Sequence, residues 1–131
     1  MAILNEVPGI KVAVRIGHQD AVEYDDPEPL SDDNVPYPIS NKYIECVDGA
    51  EFSIRYKAGK GYNWETKDQV LRYRTYVDGQ YISGNVFRWS HRDGSHFVKG
   101  KISMDPKTHQ HYLHRCKFSA ITTGTFNYYF S

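Results

Sequence analysis

The strongest constraint on this chain is a repeated period of two. Ala50 to Lys57 alternates without a break: Phe52, Ile54 and Tyr56 on one side, Glu51, Ser53, Arg55 and Lys57 on the other. Val70 to Val77 does the same, with Leu71, Tyr73, Thr75 and Val77 opposite Arg72, Arg74 and Tyr76. Successive side chains of a strand point to opposite faces, so this pattern suits half-buried strands and no helix. Asp48-Gly49, Asp78-Gly79 and Arg92-Asp93-Gly94 interrupt it, and such turn residues reverse an extended chain tightly. Ile10–Ile16, Lys42–Val47, Gln80–Ile82 continuing through Asn85–Trp89 after a bulge at Gly84, Ser95–Met104, His111–Phe118 and Thr125–Phe130 extend the set. Tyr62–Gln69 is ambiguous, with room for a helical turn. The expectation is one all-β domain over residues 1–131, an antiparallel β-sandwich of jelly-roll type with seven or eight strands. A closed barrel is the alternative. The Asp48-Gly49 dipeptide predicts a hairpin between the strands that flank it.

With 131 residues and 40% hydrophobic content, one core is affordable and a second domain is not. No apolar run reaches the ~18 residues of a membrane span. Met1 to Gly17 has no long apolar stretch, so no secretory leader is expected, and the expected place is intracellular, cytoplasmic or nuclear. Two cysteines are too few for a disulfide scaffold. Cys46 and Cys116 read as reduced residues inside strands, packed in the core.

Sixteen bases and sixteen acids sum to zero, but their placement is uneven. Seven acids fall between Asp20 and Asp33, and no Lys or Arg lies between Arg15 and Lys42. Pro27, Pro29, Pro36 and Pro38 accompany them, so residues 20–38 read as an exposed, acidic, Pro-rich loop. From Arg72 to Lys117 there are nine bases against three acids. Neutral overall charge argues against constitutive nucleic-acid binding, but this arrangement does not exclude a masked basic face. The acidic loop is expected to fold over that face or to offer its charge to a second copy.

Val7-Pro-Gly-Ile-Lys-Val-Ala-Val14, Glu23-Tyr-Asp-Asp-Pro27, Tyr43-Ile-Glu-Cys-Val-Asp-Gly-Ala-Glu-Phe-Ser-Ile-Arg55, Tyr76-Val-Asp-Gly79 and Lys117-Phe-Ser119 occur in that order. As a set they resemble a fungal family of small proteins known as a domain of unknown function. The resemblance covers most of the chain and implies a fungal, intracellular protein. It carries no catalytic residue with it. Members of that family run on past Lys-Phe-Ser through a charged stretch into another strand, whereas here Thr125-Phe-Asn-Tyr-Tyr-Phe-Ser131 follows, so the resemblance leaves the final strand open.

Candidate chemistry is sparse. On a strand His109 and His111 would share a face, as two metal-bound imidazoles must, with His96 or Asp105 as a third ligand. The ordinary reading is exposed polar positions, and with no Cys-x-x-Cys or His-Glu-x-x-His spacing, neither metal nor cofactor is expected. Ser90-His91 on a strand would point to opposite faces and make no nucleophile–base pair. No Gly-x-Ser-x-Gly elbow or phosphate-cradling Gly loop occurs, so no enzyme is expected. The candidate binding residues are basic and aromatic: Arg72, Arg74 and Tyr76 on one strand face, Arg88, Trp89 and Arg92 at a strand end, and Lys99 and Lys101 alternating on the next. If these strands are neighbours, the surface suits nucleic acid or another polyanion, an acidic peptide, or a carbohydrate. The leading expectation is a non-catalytic module that binds a protein partner or itself, with exposed strand edges as docking sites. A homodimer would cover the apolar tail of Phe126, Tyr128 and Phe130.

Overall fold

The computed structural model describes residues 2–3, 8–27, 39–119 and 123–128. In chain order the strands are β1 (Ala2–Ile3), β2 (Ile10–Ile16), β3 (Gln19–Asp20), β4 (Glu23–Asp25), β5 (Ser40–Glu45), β6 (Phe52–Ala58), β7 (Val70–Val77), β8 (Gln80–Arg88), β9 (Ser95–Val98), β10 (Gly100–Met104), β11 (His111–Arg115) and β12 (Thr123–Tyr128). All pairings are antiparallel, and the strands fall into several small sheets. One sheet runs β1-β2-β6-β9, with β3 also paired to β2; another runs β12-β5-β4; β7–β8 and β10–β11 are two-stranded ribbons. The all-β expectation holds. No closed sandwich or jelly roll forms among the described residues.

The core lies between the first sheet and the β7–β8 ribbon. Ile10, Val12 and Val14 of β2, Phe52, Ile54 and Tyr56 of β6, and Val98 of β9 turn inward. Tyr73, Thr75 and Phe87 of the ribbon meet them. Tyr56 stacks on Tyr73 with centroids 4.2 Å apart, and its hydroxyl shares a buried 2.7 Å hydrogen bond with Thr75. His96 of β9 stacks on Phe87 at 3.9 Å and bonds the Tyr73 hydroxyl through Nδ1 at 3.1 Å. Burial, then the neighbouring Tyr56, pushes the Tyr73 hydroxyl up to about 12. It therefore stays a neutral donor or acceptor within this cluster.

The hairpin expected at Asp48-Gly49 does not form. The turn is present, but β5 pairs with β4 and β12, while β6 pairs with β2 and β9. A distant segment takes the place of the hairpin partner. Gly49 N–H donates to the Phe118 carbonyl at 3.1 Å, Phe118 N–H to Ala50 at 2.9 Å, and Phe52 N–H to Cys116 at 3.0 Å. Phe118 then stacks on Phe52 at 4.4 Å, so the non-local pairing also buries two rings.

Other expectations shift in detail. Within the stretch read as loop, Asp20 belongs to β3 and Glu23–Asp25 forms β4; residues 28–38 of that stretch lie outside the described residues. Tyr62–Gln69 holds turns and bends without a helix. The β8 bulge falls opposite Thr75/Tyr76, where the register skips Ile82, and not at Gly84. Ser95–Met104 is two strands in two sheets. Cys46 and Cys116 each sit just past a strand end, half-buried and free, against the core. Of the apolar tail, Thr123–Tyr128 pairs with β5, and Phe130 lies outside the described residues. No helix is long and apolar enough to cross a membrane among the described residues.

Candidate functional site

The β7–β8 ribbon carries the most coherent surface. Asp78 and Gly79 both adopt positive φ, 50° and 76°, the backbone of a two-residue hairpin turn, and this sets the register. Val70 faces Arg88, Arg72 faces Val86, Arg74 faces Gly84 and Tyr76 faces Tyr81. Directly opposed residues share a face, so Arg72, Arg74, Arg88, Tyr76 and Tyr81 line one side of the ribbon. The other side supplies Tyr73, Thr75 and Phe87 to the core. Gly84 leaves room for a ring: a Cβ there would lie 2.7 Å from the Tyr81 hydroxyl and 3.6 Å from Arg74 Cγ. Tyr81 meets Tyr76 edge-on at 5.5 Å, and both rings are about half exposed, at 51% and 53%. Among the described residues no carboxylate pairs with Arg72, Arg74 or Arg88.

Four of the residues singled out from sequence thus converge: Arg72, Arg74, Tyr76 and Arg88. The other four do not join them. A 3₁₀ turn at Trp89–His91 ends the strand and re-aims Trp89. Trp89 is half-buried, edge-on to Trp64 at 6.3 Å. Arg92 folds onto the Trp89 ring, 4.2 Å from its centroid, and donates to the Trp89 carbonyl at 3.1 Å. Lys99 lies between β9 and β10, and Lys101 is opposite His114 in β10. The chain changes sheets between Val98 and Gly100, so the two lysines do not continue the alternation of a single sheet, although β10 comes close to β8.

Tyr81 was missed from sequence because its outward side depends on the bulge. The cleft at the β9–β10 crossing was missed as well. It has a volume of about 420 Å³, and its lining includes Arg15, His18, Ser53, Phe97, Lys99 and Arg115. The signal available was Gly100: an isolated glycine inside a strand pattern marks a close backbone approach. A Cβ at Gly100 would sit 1.9 Å from the His114 carbonyl oxygen, so only glycine lets β11 come this near. Cys116 N–H then donates to the Lys99 carbonyl at 3.0 Å, locking the crossing.

The acidic segment begins by neutralising bases elsewhere. Asp20 meets Arg55 at 3.0 Å and Arg15 at 3.6 Å. Asp25 pairs with Lys42, whose hydrogen bond and charge lower the Asp25 pKa. These three bases precede residue 72. Glu28, Asp32 and Asp33 lie outside the described residues.

For the histidines, the shared strand face does not arise. His109 occupies the β10–β11 turn at φ 58°, its N–H donating to the Asp105 carbonyl, and His111 opens β11. Among the described residues, no three His, Cys, Asp or Glu side chains group as a metal site would require. Ser90 and His91 lie in the 3₁₀ turn and not on a strand. Burial pushes the Cys116 thiol up in pKa, which favours its protonated form.

Neither the search of curated proteins nor that of solved structures returned a match. The sequence does match a protein family over residues 9–127, nearly the whole of the chain. The chain belongs to the family described as Domain of unknown function (DUF7918).

Proposed function

We propose that this domain is a non-catalytic interaction module, and that the outer face of the β7–β8 ribbon docks an acidic, extended segment of a protein partner. One observation carries this reading: three arginines without a carboxylate partner among the described residues share a face with two exposed tyrosines. Arg72 and Arg74 are alternate residues of one strand, about 6.6–6.8 Å apart along it. Alternate side chains of an extended peptide have the same spacing, so two carboxylates in an Asp-x-Asp pattern meet two guanidinium groups in register. Guanidinium–carboxylate pairs supply directional, bidentate hydrogen bonds. Tyr76 and Tyr81 add amphipathic contact area at small entropic cost.

The test is fluorescence anisotropy with a labelled peptide of residues 20–33, the acidic sequence nearest to hand. Wild-type protein should bind it, and Arg72→Glu/Arg74→Glu should abolish binding while leaving the far-UV spectrum intact. Equal binding by the double variant would overturn the proposal. A second reading, single-stranded nucleic acid, is favoured by the exposed Tyr76 and Tyr81 rings, on which bases can stack. It predicts that an oligothymidine competes better than the peptide, with affinity falling steeply as salt rises.

A further inference from the structure

We propose that the cleft at the β9–β10 crossing binds a small phosphomonoester, with its phosphate held by Lys99, Arg115 and Arg15 and its organic body against Phe97. This site is separate from the arginine face and does not depend on it.

The charge balance points to a dianion. Arg15, Lys99 and Arg115 line the cleft, against one carboxylate, Glu51. The outlying Arg55–Asp20 pair adds no net charge. A phosphomonoester carries close to two negative charges above pH 7, because its second pKa is about 6. Local charge is thus matched by one such group and only half matched by a carboxylate.

The bases differ in how freely they act. Arg15 is oriented in advance: it lies 3.6 Å from Asp20, donates to the His18 carbonyl, and stands 5.7 Å from the Phe97 ring centre. Among the described residues, the acidic partner of Arg115 is Glu51, an exposed 3.6 Å contact that water screens and an anion can displace. Lys99 has no acidic partner among the described residues. Ser53, also on the lining, offers a neutral hydroxyl donor.

Size and shape argue for more than a free ion. The cleft volume of about 420 Å³ lies in the range of small-molecule sites, ~300–1,000 Å³, and far exceeds inorganic phosphate. Phe97 is 47% exposed on its wall, a phenyl ring left in water where a flat organic group would cover it. Gly100 builds the arrangement, since the close approach it permits brings Lys99 and Arg115 to one rim.

The experiment is a titration of isotopically labelled full chain with phenyl phosphate at pH 7.5, followed by amide chemical shifts. Saturable shifts should appear at residues 17–18, 53, 97–99 and 115, with inorganic phosphate binding more weakly at the same place. Lys99→Glu should weaken phenyl phosphate about tenfold or more, the loss of one charge-assisted contact. Lys99→Gln serves if the glutamate disturbs the dispersion of the spectrum. Phe97→Ala should erase the advantage of phenyl phosphate over inorganic phosphate, and Arg72→Glu/Arg74→Glu should change neither. Shifts that fail to saturate by 10 mM ligand, or spread evenly over all bases, overturn the proposal. So does undiminished binding by both Lys99 variants.

Discussion

The β2-β6-β9 sheet and the β10–β11 ribbon use the same pleated backbone and reach opposite ends. In β2, Val12 and Val14 are 0% and 1% exposed. In the ribbon, Ile102 and Leu113 face each other across the strands and remain 66% and 42% exposed, with Met104 beside them. Each strand of the central sheet lies under the β7–β8 ribbon or a neighbouring strand. The β10–β11 ribbon approaches β8 through β10, yet its apolar side chains stay largely exposed. Alternation therefore marks where a strand forms. Whether its apolar side is buried depends on what packs above it, and two-stranded ribbons gain little stability alone.

Five measurements break or sharpen this contrast. The largest effect belongs to the crossing that separates the two regions. Gly100→Ala places a methyl 1.9 Å from the His114 carbonyl, and urea denaturation should register a loss of about 3 kcal/mol or more. A loss under ~1 kcal/mol would mean the two backbones are free to part. Within the central sheet, Val14→Ala should cost about 2 kcal/mol, from lost burial and the cavity left behind. Tyr56→Phe should cost about 1–2 kcal/mol, because the Thr75 hydroxyl, 2% exposed, loses its partner.

The fourth effect is a pH dependence. Burial, and then the nearby His91, hold the His96 pKa below its ordinary value. The fold therefore favours the neutral ring. Its contribution is complete above pH ~6.5 and is lost as acid is added, because the unfolded chain takes up a proton that the fold resists. The melting temperature should fall between pH 7 and pH 5, and His96→Phe should flatten that fall. A His96→Phe profile parallel to wild type would assign the acid sensitivity elsewhere. The smallest effect is on the ribbon. Leu113→Ser should change stability by no more than ~0.5 kcal/mol. A cost above ~1.5 kcal/mol would show that this face is covered in solution, and the contrast with the central sheet would fail.

Much of the candidate site was legible where information is local. Arg72, Arg74 and Tyr76 share a face because a strand repeats every two residues, and Asp78-Gly79 is a turn because both positions accept positive φ. Arg88 joined them once the turn had set the register. Trp89 and Arg92 departed because the strand stops one residue earlier, a boundary with no sharp signal in the side chains. Lys99 and Lys101 do not share one strand, because a run that alternates correctly across ten residues is cut where the backbone closes on His114 at Gly100. Residues on both sides of that cut obey the same period, so periodicity could not report it.

By itself, then, the sequence determined the class of the fold, the extent of β2 and β7, the Asp78-Gly79 hairpin and the inward set of Phe52, Ile54 and Tyr56. Each follows from neighbours within a few residues, whose sterics and turn chemistry act whatever the rest of the chain does. Tertiary structure decided who pairs with whom. Asp48-Gly49 makes a turn as expected, yet the edge beside Ala50 and Phe52 goes to Cys116–Phe118, about 66 residues away, because that pairing satisfies the same backbone groups and stacks Phe118 on Phe52 as well. The choice between two pairings of equal hydrogen bonding is made by the surface each one buries, and that surface exists only once distant segments have met.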